Sequence, residues 1–396
     1  MKKIGVFSPI NPFSYDSGAR IRIYQITKYI VEHFTKNGFS VDFIFLDDLK
    51  NEDPIRMPFY ENCNLISFSA RRTRLAAVFD MLLHQKSYRS AKFFSNNLKA
   101  FIEKNINQYA LVYVNFFDLL QHFKSINAES NLKIFVDTHN DDYHWYESFE
   151  KKSFFHSIFG KMNKNFFLKE NKDVSKFVEA TVNVSIDDAR TLDERFGIEK
   201  NIVIPNGVVI ADAHPTKEIN QKFSILFCAS LSVTMNVDAI QWFIKKVFPI
   251  INTNNEFVIQ IVGRNPNRNV LKLFDQDRIE IYANVDSLKE FYERANLVVL
   301  PFKMGGGSKL KLLESLSYGL PIVASDIGLV GCEDLKKYVY LSEMTPHGFA
   351  GKITELINNY SEALRKSSSG KKYVNENYSW VKVSSQLIHT LEKHIN

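Results

Sequence analysis

Short apolar runs alternate with helical patterns along the whole chain. Runs such as 4–8, 40–46 and 110–114 are apolar almost throughout, which is typical of parallel strands buried on both faces. Between the first two runs, apolar residues recur at helical spacing: Ile23, Ile26, Ile30 and Phe34. This alternation predicts an α/β fold with parallel sheets.

The alternation occurs twice. A polar stretch over 211–222 separates a first set of strands and helices from a second set that begins near residue 224. A chain of 396 residues also suits two domains of roughly 150 to 200 residues each. We therefore predict two Rossmann-like domains that face each other across a cleft. The predicted ranges are the first domain over 1–210, the linker over 211–222, the second domain over 223–377, and a C-terminal helix over 378–396 that packs back on the first domain.

Composition narrows the class of protein. Hydrophobic residues make up 45% of the chain and charged residues 24%, which is ordinary for a globular protein. The three cysteines are widely spaced, which favours reduced thiols and a cytoplasmic location. The N-terminus is expected to be a first strand and not a secretion signal. The net charge of +6 suits anionic small molecules, an anionic membrane surface or solubility alone, and no nucleic-acid motif accompanies it.

One glycine-rich loop stands out in the second half. A predicted strand over 297–300 is followed by Gly305, Gly306 and Gly307, and Ser308 is placed to cap the next helix. Backbone amides at a helix start attract anions, and two lysines there, Lys309 and Lys311, add positive charge. A phosphate or diphosphate site is the functional interpretation, and an ordinary tight turn is the alternative.

Two features of the first half also fall where open α/β sheets bind ligands. The loop after the first strand brings Gly18, Arg20 and Arg22 to a helix start, although two exposed arginines would give the same pattern. It lacks the G-x-G-x-x-G fingerprint, which disfavours a nicotinamide dehydrogenase. His139 follows the strand over 133–136 and can serve as a base, a donor or an orienting group, or belong to a capping cluster.

The segment 143–176 combines aromatic residues at helical spacing with several lysines. Such a helix can lie on an anionic membrane surface. The alternative is that the aromatic residues are core and the lysines are solvated at its edges.

With these residues in place, the chain resembles the retaining glycosyltransferases of family four (glycosyl transferases group 1), which have the GT-B fold. The resemblance covers nearly the whole chain and is strongest over 305–323, which reads GGGSKLKLLESLSYGLPIV. Weaker matches follow in the family's order: 203–208, 236–243, 262–263 and 285–288.

The resemblance implies roles for particular residues. Glu314 would accept hydrogen bonds from the ribose hydroxyls of a nucleotide sugar, and Lys311 would contact its diphosphate. His139 would lie near the reacting sugar, so the implied catalytic residues are His139, Glu314 and Lys311. The implied donor-binding residues are Gly305, Gly306, Gly307, Ser308, Lys309, Val285 and Arg264. The implied glycine loop of the first domain contains Gly18, Arg20 and Arg22.

Three departures from the family pattern concern the sugar and phosphate contacts. The glutamate that is often found eight residues before Glu314 is replaced by Gly306. The Gly-Gly pair of the first loop is Gly18-Ala19, and the basic pair after the first strand of the second domain is missing from 229–236.

We therefore predict transfer of a sugar from a nucleotide diphosphate sugar to a glycan or lipid-linked acceptor, with retention of anomeric configuration. A role in bacterial surface polysaccharide assembly is expected. No metal and no cofactor are expected, and membrane contact is expected through 143–176 at the inner face of the membrane. A sugar-nucleotide epimerase or hydrolase, or a non-catalytic nucleotide-sugar-binding protein, are the alternatives.

Overall fold

A computed structural model of the chain describes residues 2–13, 17–47, 58–69, 73–125, 132–139, 143, 146–147, 154–211, 222–271, 277–304 and 310–395. It divides into two compact units, Met1–Pro205 with Val383–Asn396, and Asn206–Lys382.

The first unit is built on a seven-stranded sheet. Its strands are β1 (Lys3–Ser8), β2 (Ser40–Phe45), β3 (Asn64–Ser67), β4 (Tyr109–Asn115), β5 (Lys133–Asp137), β6 (Ala180–Asn183) and β7 (Asn201–Val203). Their order is β3-β2-β1-β4-β5-β6-β7, and all neighbours are parallel. The order reverses between β1 and β4, where open α/β sheets leave a crevice at the carboxyl ends of the strands.

The helices of this unit are α1 (Gly18–Lys36), α2 (Arg74–His84), α3 (Tyr88–Lys92), α4 (Asn96–Asn105), α5 (Phe154–Asn171) and α6 (Ile186–Phe196). The apolar residues at helical spacing in α1 are buried, as their period requires. β1 and β4 are buried along most of their length, which explains their near-continuous apolar sequences.

The second unit is built on a six-stranded sheet. Its strands are β8 (Phe223–Cys228), β9 (Phe257–Gly263), β10 (Ile279–Ala283), β11 (Leu297–Leu300), β12 (Ile322–Ala324) and β13 (Tyr340–Leu341). Their order is β10-β9-β8-β11-β12-β13, again parallel throughout. Its helices are α7 (Thr234–Trp242), α8 (Arg268–Leu271), α9 (Lys289–Arg294), α10 (Leu310–Ser317), α11 (Pro346–Asn358) and α12 (Tyr360–Asn377). The predicted fold class, α/β with two Rossmann-like sheets, is confirmed.

The last helix, α13 (Trp380–Glu392), begins in the second unit, and its residues from Val383 onward group with the first unit. At its end, Glu392 Oε1 lies 2.7 Å from Nε2 of His33, a residue of α1. Trp380 at its start packs so closely on Gly207 that a Cβ there would lie 2.6 Å from the indole. Among the described residues, no helix is long and apolar enough to cross a bilayer.

Candidate functional site

The first cluster of polar residues lies at the carboxyl ends of β4 and β5. Asp137 ends β5 and is fully buried, and Arg22 from α1 reaches it with Nε, 3.0 Å and 2.9 Å from the two carboxylate oxygens. Tyr113 donates its hydroxyl to the same carboxylate at 2.6 Å. Burial alone would raise the pKa of Asp137, but the nearby guanidinium, His139 and the Tyr113 hydroxyl together hold that pKa below its ordinary value. Asp137 is therefore an ionised anchor for the loop that follows it.

The predicted loop residues of α1 have different surroundings. Gly18, the first residue of the helix, is exposed, and Ser17 caps the helix by accepting from the Arg20 amide at 3.4 Å. The Arg20 side chain is half-buried and donates from Nε to the Asn11 carbonyl at 3.0 Å. Arg22 is only 1% exposed and also donates to the Pro205 carbonyl at 3.1 Å. Its charge is therefore directed to Asp137 and the chain's own backbone.

His139 is buried in a left-handed backbone conformation, with φ of 58°. Its Nε2 is 2.9 Å from Asn115 Oδ1, and the Asn115 amide nitrogen donates to the Phe7 carbonyl at 2.9 Å. Because the second bond fixes Asn115 Oδ1 as an acceptor, His139 Nε2 must carry the proton. The Nδ1 atom is then a bare acceptor, and it is buried with no hydrogen-bond partner among the described residues.

The charge state of His139 follows from its burial. Desolvation is the main cause that lowers the pKa of His139, from 6.5 to about 4. The negative charge of Asp137 opposes this shift, and the positive charges of two arginines add to it. The ring stacks on Phe116, with centroids 4.1 Å apart and planes at 11°. A neutral, rigidly held imidazole whose Nδ1 has no partner in the part of the chain that the structure describes suits a hydroxyl donor from a ligand.

The second cluster is on α10, immediately after the glycine loop. Lys311 and Glu314 are one helical turn apart and half-buried. Tyr292 of α9 donates its hydroxyl to Glu314 Oε2 at 3.1 Å, and its ring stacks on Tyr318 at 5.0 Å. Lys311 Nζ lies 5.4 Å from the centre of the Phe302 ring. Gly305, Gly306, Gly307, Ser308 and Lys309 lie outside the described residues.

Burial perturbs both charged groups of this cluster. It raises the pKa of Glu314, an effect opposed by the Tyr292 hydroxyl and by Lys311. It lowers the pKa of Lys311, an effect opposed by Glu314 and by the thiol of Cys228. Each group therefore favours the charged form of the other in surroundings that penalise both. Such a partly desolvated pair is typical of a ligand site.

The remaining predicted donor residues lie near the ends of β9 and β10. Gly263 ends β9 and packs so tightly that a Cβ would lie 1.7 Å from the Ala229 carbonyl oxygen. Arg264 follows it with an exposed side chain, and its own carbonyl accepts from the Leu231 amide at 2.8 Å. Val285 is half-buried and packs against the core of the unit. The absence of a Cβ at Gly263 thus lets the end of β9 pack closely against the backbone of Ala229. The exposed side chain of Arg264 follows directly after this contact.

Sequence reasoning missed several residues of these clusters. Tyr113, Asn115 and Phe116 all belong to or follow β4, a strand whose pattern indicated core alone. Tyr292 lies on α9, where the helical pattern indicates packing alone. Polar residues at the carboxyl ends of neighbouring strands were the available signal. Within the described residues, no group of three or more His, Cys, Asp or Glu side chains is arranged to hold a metal ion.

Comparison with known proteins agrees with this architecture. Residues 222–359 match the family model for glycosyl transferases group 1. A protein described as an uncharacterised 44.6 kDa protein in the cps region of Klebsiella pneumoniae is 21% identical over 409 residues, covering 98% of this chain and 99% of that protein.

Three solved structures illustrate the fold. Sucrose-phosphate synthase from Thermosynechococcus elongatus has a TM-score of 0.72 at 15% identity, covering 99% of both chains. HepE from Anabaena, in complex with UDP and glucose, has a TM-score of 0.70 at 12% identity, covering 99% of this chain and 100% of that one. A TarM variant from S. aureus, in complex with fondaparinux, alpha-GlcNAc-glycerol and UDP, has a TM-score of 0.66 at 13% identity over 100% of both chains.

The protein thus has the GT-B fold, whose two units each carry a parallel sheet. The match of its segment 222–359 to the model for glycosyl transferases group 1 agrees with the resemblance to that group inferred from the sequence.

Proposed function

We propose that this protein transfers a sugar from a nucleotide diphosphate sugar to a glycan or lipid-linked acceptor, with retention of anomeric configuration. The observation that carries the proposal is the half-buried Lys311 and Glu314 pair, which follows the glycine loop inside the segment that matches the family. The similar HepE structures are complexes with UDP and glucose and with UDP-glucose. A nucleotide sugar donor is consistent with both observations.

In this proposal each group of the α10 cluster has one task. The Glu314 carboxylate accepts hydrogen bonds from two ribose hydroxyls, and the Tyr292 hydroxyl holds that carboxylate in place. Lys311 lies one turn earlier and stabilises the negative charge that develops on the diphosphate as the sugar leaves. The glycine loop contributes backbone amides, and Arg264 and Val285 contribute to the donor site. The reaction then needs neither a metal nor a cofactor.

His139 has the matching task on the first unit. Its neutral ring offers Nδ1 as an acceptor to a sugar hydroxyl, because Nε2 is already committed to Asn115. The ring cannot donate through Nδ1 to a phosphate while it is neutral. Gly18 and Arg20 lie at the start of α1, where an anionic part of a substrate would be attracted.

The biological setting is proposed from two observations. The relative from Klebsiella pneumoniae is described by its place in a cps region, which suggests surface polysaccharide assembly. The segment 143–176 gives α5, whose first residues Phe154 and Phe155 are 75% and 80% exposed, whereas Phe167 is buried. We propose that this end of α5 contacts an anionic membrane at its inner face, where a lipid-linked acceptor would be held.

The test combines donor binding and transfer. Calorimetry with UDP-glucose and other nucleotide sugars should first identify the donor, because binding of the correct donor releases measurable heat. Glu314→Ala and Lys311→Ala should then weaken binding of that donor by tenfold or more. Glu293→Ala is the matched control, because Glu293 pairs with Lys289 on the surface of neighbouring α9, at 3.7 Å.

The product distinguishes the remaining possibilities. The proton coupling at the anomeric carbon of the product should show the same configuration as the donor. Unchanged binding and transfer in both alanine variants would refute the assignment of the donor site. Full hydrolysis or epimer formation without an acceptor would refute transfer, and binding without turnover with any acceptor would identify a non-catalytic binding protein.

A further inference from the structure

The helix α2 presents an apolar face that the described part of the unit does not cover. Five of its residues have large exposed fractions and follow a helical period: Leu75 at 83%, Val78 at 37%, Phe79 at 68%, Leu82 at 52% and Leu83 at 63%. Only Ala77 and Met81, on the opposite side, are buried. A contiguous apolar face of this kind is unusual on a protein that stays alone in water, and it marks an interaction surface.

The helix is held firmly in this position. Thr73 caps its N-terminus by accepting from the Ala76 amide at 3.2 Å, and Gln85 ends it in a left-handed conformation. The Gln85 side chain accepts from Lys169 Nζ of α5 at 2.5 Å. The apolar face is therefore exposed on a helix whose two ends are fixed by hydrogen bonds.

The start of α5 adds a second apolar area in the same unit. Phe154, Phe155 and Ile158 are 75%, 80% and 43% exposed. The two helices are linked through α3, where the Tyr88 ring lies 5.9 Å from Phe159 and the Tyr88 amide donates to Asn163 Oδ1 at 2.6 Å.

The charges of the two helices indicate what covers these areas. Each helix has one acidic residue. Asp80 pairs with His84 at 2.9 Å, and Glu170 accepts from the Ser87 amide at 3.3 Å. The basic residues Arg74, Lys161 and Lys169 are exposed. Basic residues beside an apolar face suit an anionic surface.

We propose that α2 lies in the interface of an anionic phospholipid bilayer, with its exposed leucines and Phe79 among the acyl chains and the start of α5 as a second contact. A second copy of the chain fits less well, because a face-to-face pair would bring arginine and lysine residues of like charge together. The use of this membrane contact in catalysis rests on the proposed function, because it would bring the enzyme to a lipid-linked acceptor. The membrane contact itself is argued independently of that function.

The experiment is sedimentation of the full chain with vesicles of phosphatidylglycerol and phosphatidylethanolamine, and with vesicles of phosphatidylcholine. We expect the chain to bind the anionic vesicles at least tenfold more strongly. The triple variant Leu75→Ser, Phe79→Ser, Leu83→Ser should lose at least tenfold in binding. Ile186→Ser is the control, because Ile186 is 67% exposed on α6 of the same unit and should bind like the unchanged chain.

Three results would overturn the proposal. They are no binding of the unchanged chain to anionic vesicles, binding of the triple variant within twofold of the unchanged chain, and a dimer in analytical ultracentrifugation that the triple variant abolishes. The melting temperature of the triple variant should stay close to that of the unchanged chain, since the altered side chains are exposed. The readout uses no sugar, so a failure of docking and a failure of the proposed transfer are seen separately.

Discussion

The buried pair of Arg22 and Asp137 gives the sharpest prediction about stability. Asp137→Asn keeps the shape of the side chain and the partner of the Tyr113 hydroxyl, but it removes the carboxylate charge that faces the buried guanidinium of Arg22. Both residues are almost fully buried, at 1% and 0% exposure, and both carboxylate oxygens lie within 3.0 Å of Arg22 Nε. Breaking a buried pair from one side costs about 3–5 kcal/mol.

That cost is large beside the ~5–15 kcal/mol by which proteins are usually stable. Urea unfolding followed by circular dichroism at pH 7 measures it. The control is Lys28→Met, because Lys28 and Glu32 form a partly exposed pair on α1 at 3.9 Å, and its loss should cost at most about 0.5 kcal/mol. A cost for Asp137→Asn below about 1 kcal/mol would refute the reasoning. The double variant Arg22→Met, Asp137→Asn should recover part of the loss, because no charge then stays buried.

The pH dependence of this cost has a definite sign. The pKa of Asp137 in the folded protein is below its ordinary value, so the unfolded chain binds the proton more readily. The stabilisation is fully present above the unfolded pKa of about 3.9 and is lost as the pH falls through the lower folded pKa. The difference between the unchanged chain and Asp137→Asn should therefore shrink only under strongly acidic conditions, below about pH 4. A difference that already shrinks between pH 7 and 5 would contradict an ionised Asp137.

Three further predictions follow from single contacts. His139 has a folded pKa of about 4 against 6.5 unfolded, so its contribution is fully present above pH 6.5 and should be lost toward pH 4. His139→Gln should remove ~2 kcal/mol of pH dependence between pH 7 and pH 5, measured as unfolding free energies at the two pH values. Identical pH slopes for the variant and the unchanged chain would contradict a neutral ring. Tyr292→Phe removes the hydrogen bond to Glu314 and should weaken binding of the identified donor by roughly five- to tenfold in calorimetry, and unchanged affinity would show that the bond does not position the carboxylate. Gly263→Ala places a Cβ 1.7 Å from a backbone oxygen and should lower the free energy of unfolding in urea by ~1–3 kcal/mol or more. The control is Gly351→Ala, where a Cβ would meet nothing within 4 Å, and it should stabilise its helix by ~0.5–1 kcal/mol. Equal effects of the two variants would refute the packing argument.

The sequence by itself determined the fold class and the placement of Lys311 and Glu314 on one helix face. Apolar runs and helical periods are local properties, so the alternation of strands and helices could be predicted from them. Lys311 and Glu314 are three residues apart on one helix, and that spacing alone places both on one face. The glycine loop and the family motifs around it were also readable, because they are continuous in the chain.

Only the tertiary structure decided the rest. Arg22 and Asp137 are 115 residues apart, and no local pattern could show that the charge of Arg22 is buried against that carboxylate. The proton position on His139 depends on Asn115 and, through it, on the Phe7 carbonyl of a third strand. The apolar face of α2 has the same period whether it is covered or exposed, so its exposure became visible only once the neighbouring elements were in place. Periodicity records which residues share a face, and packing decides what that face meets.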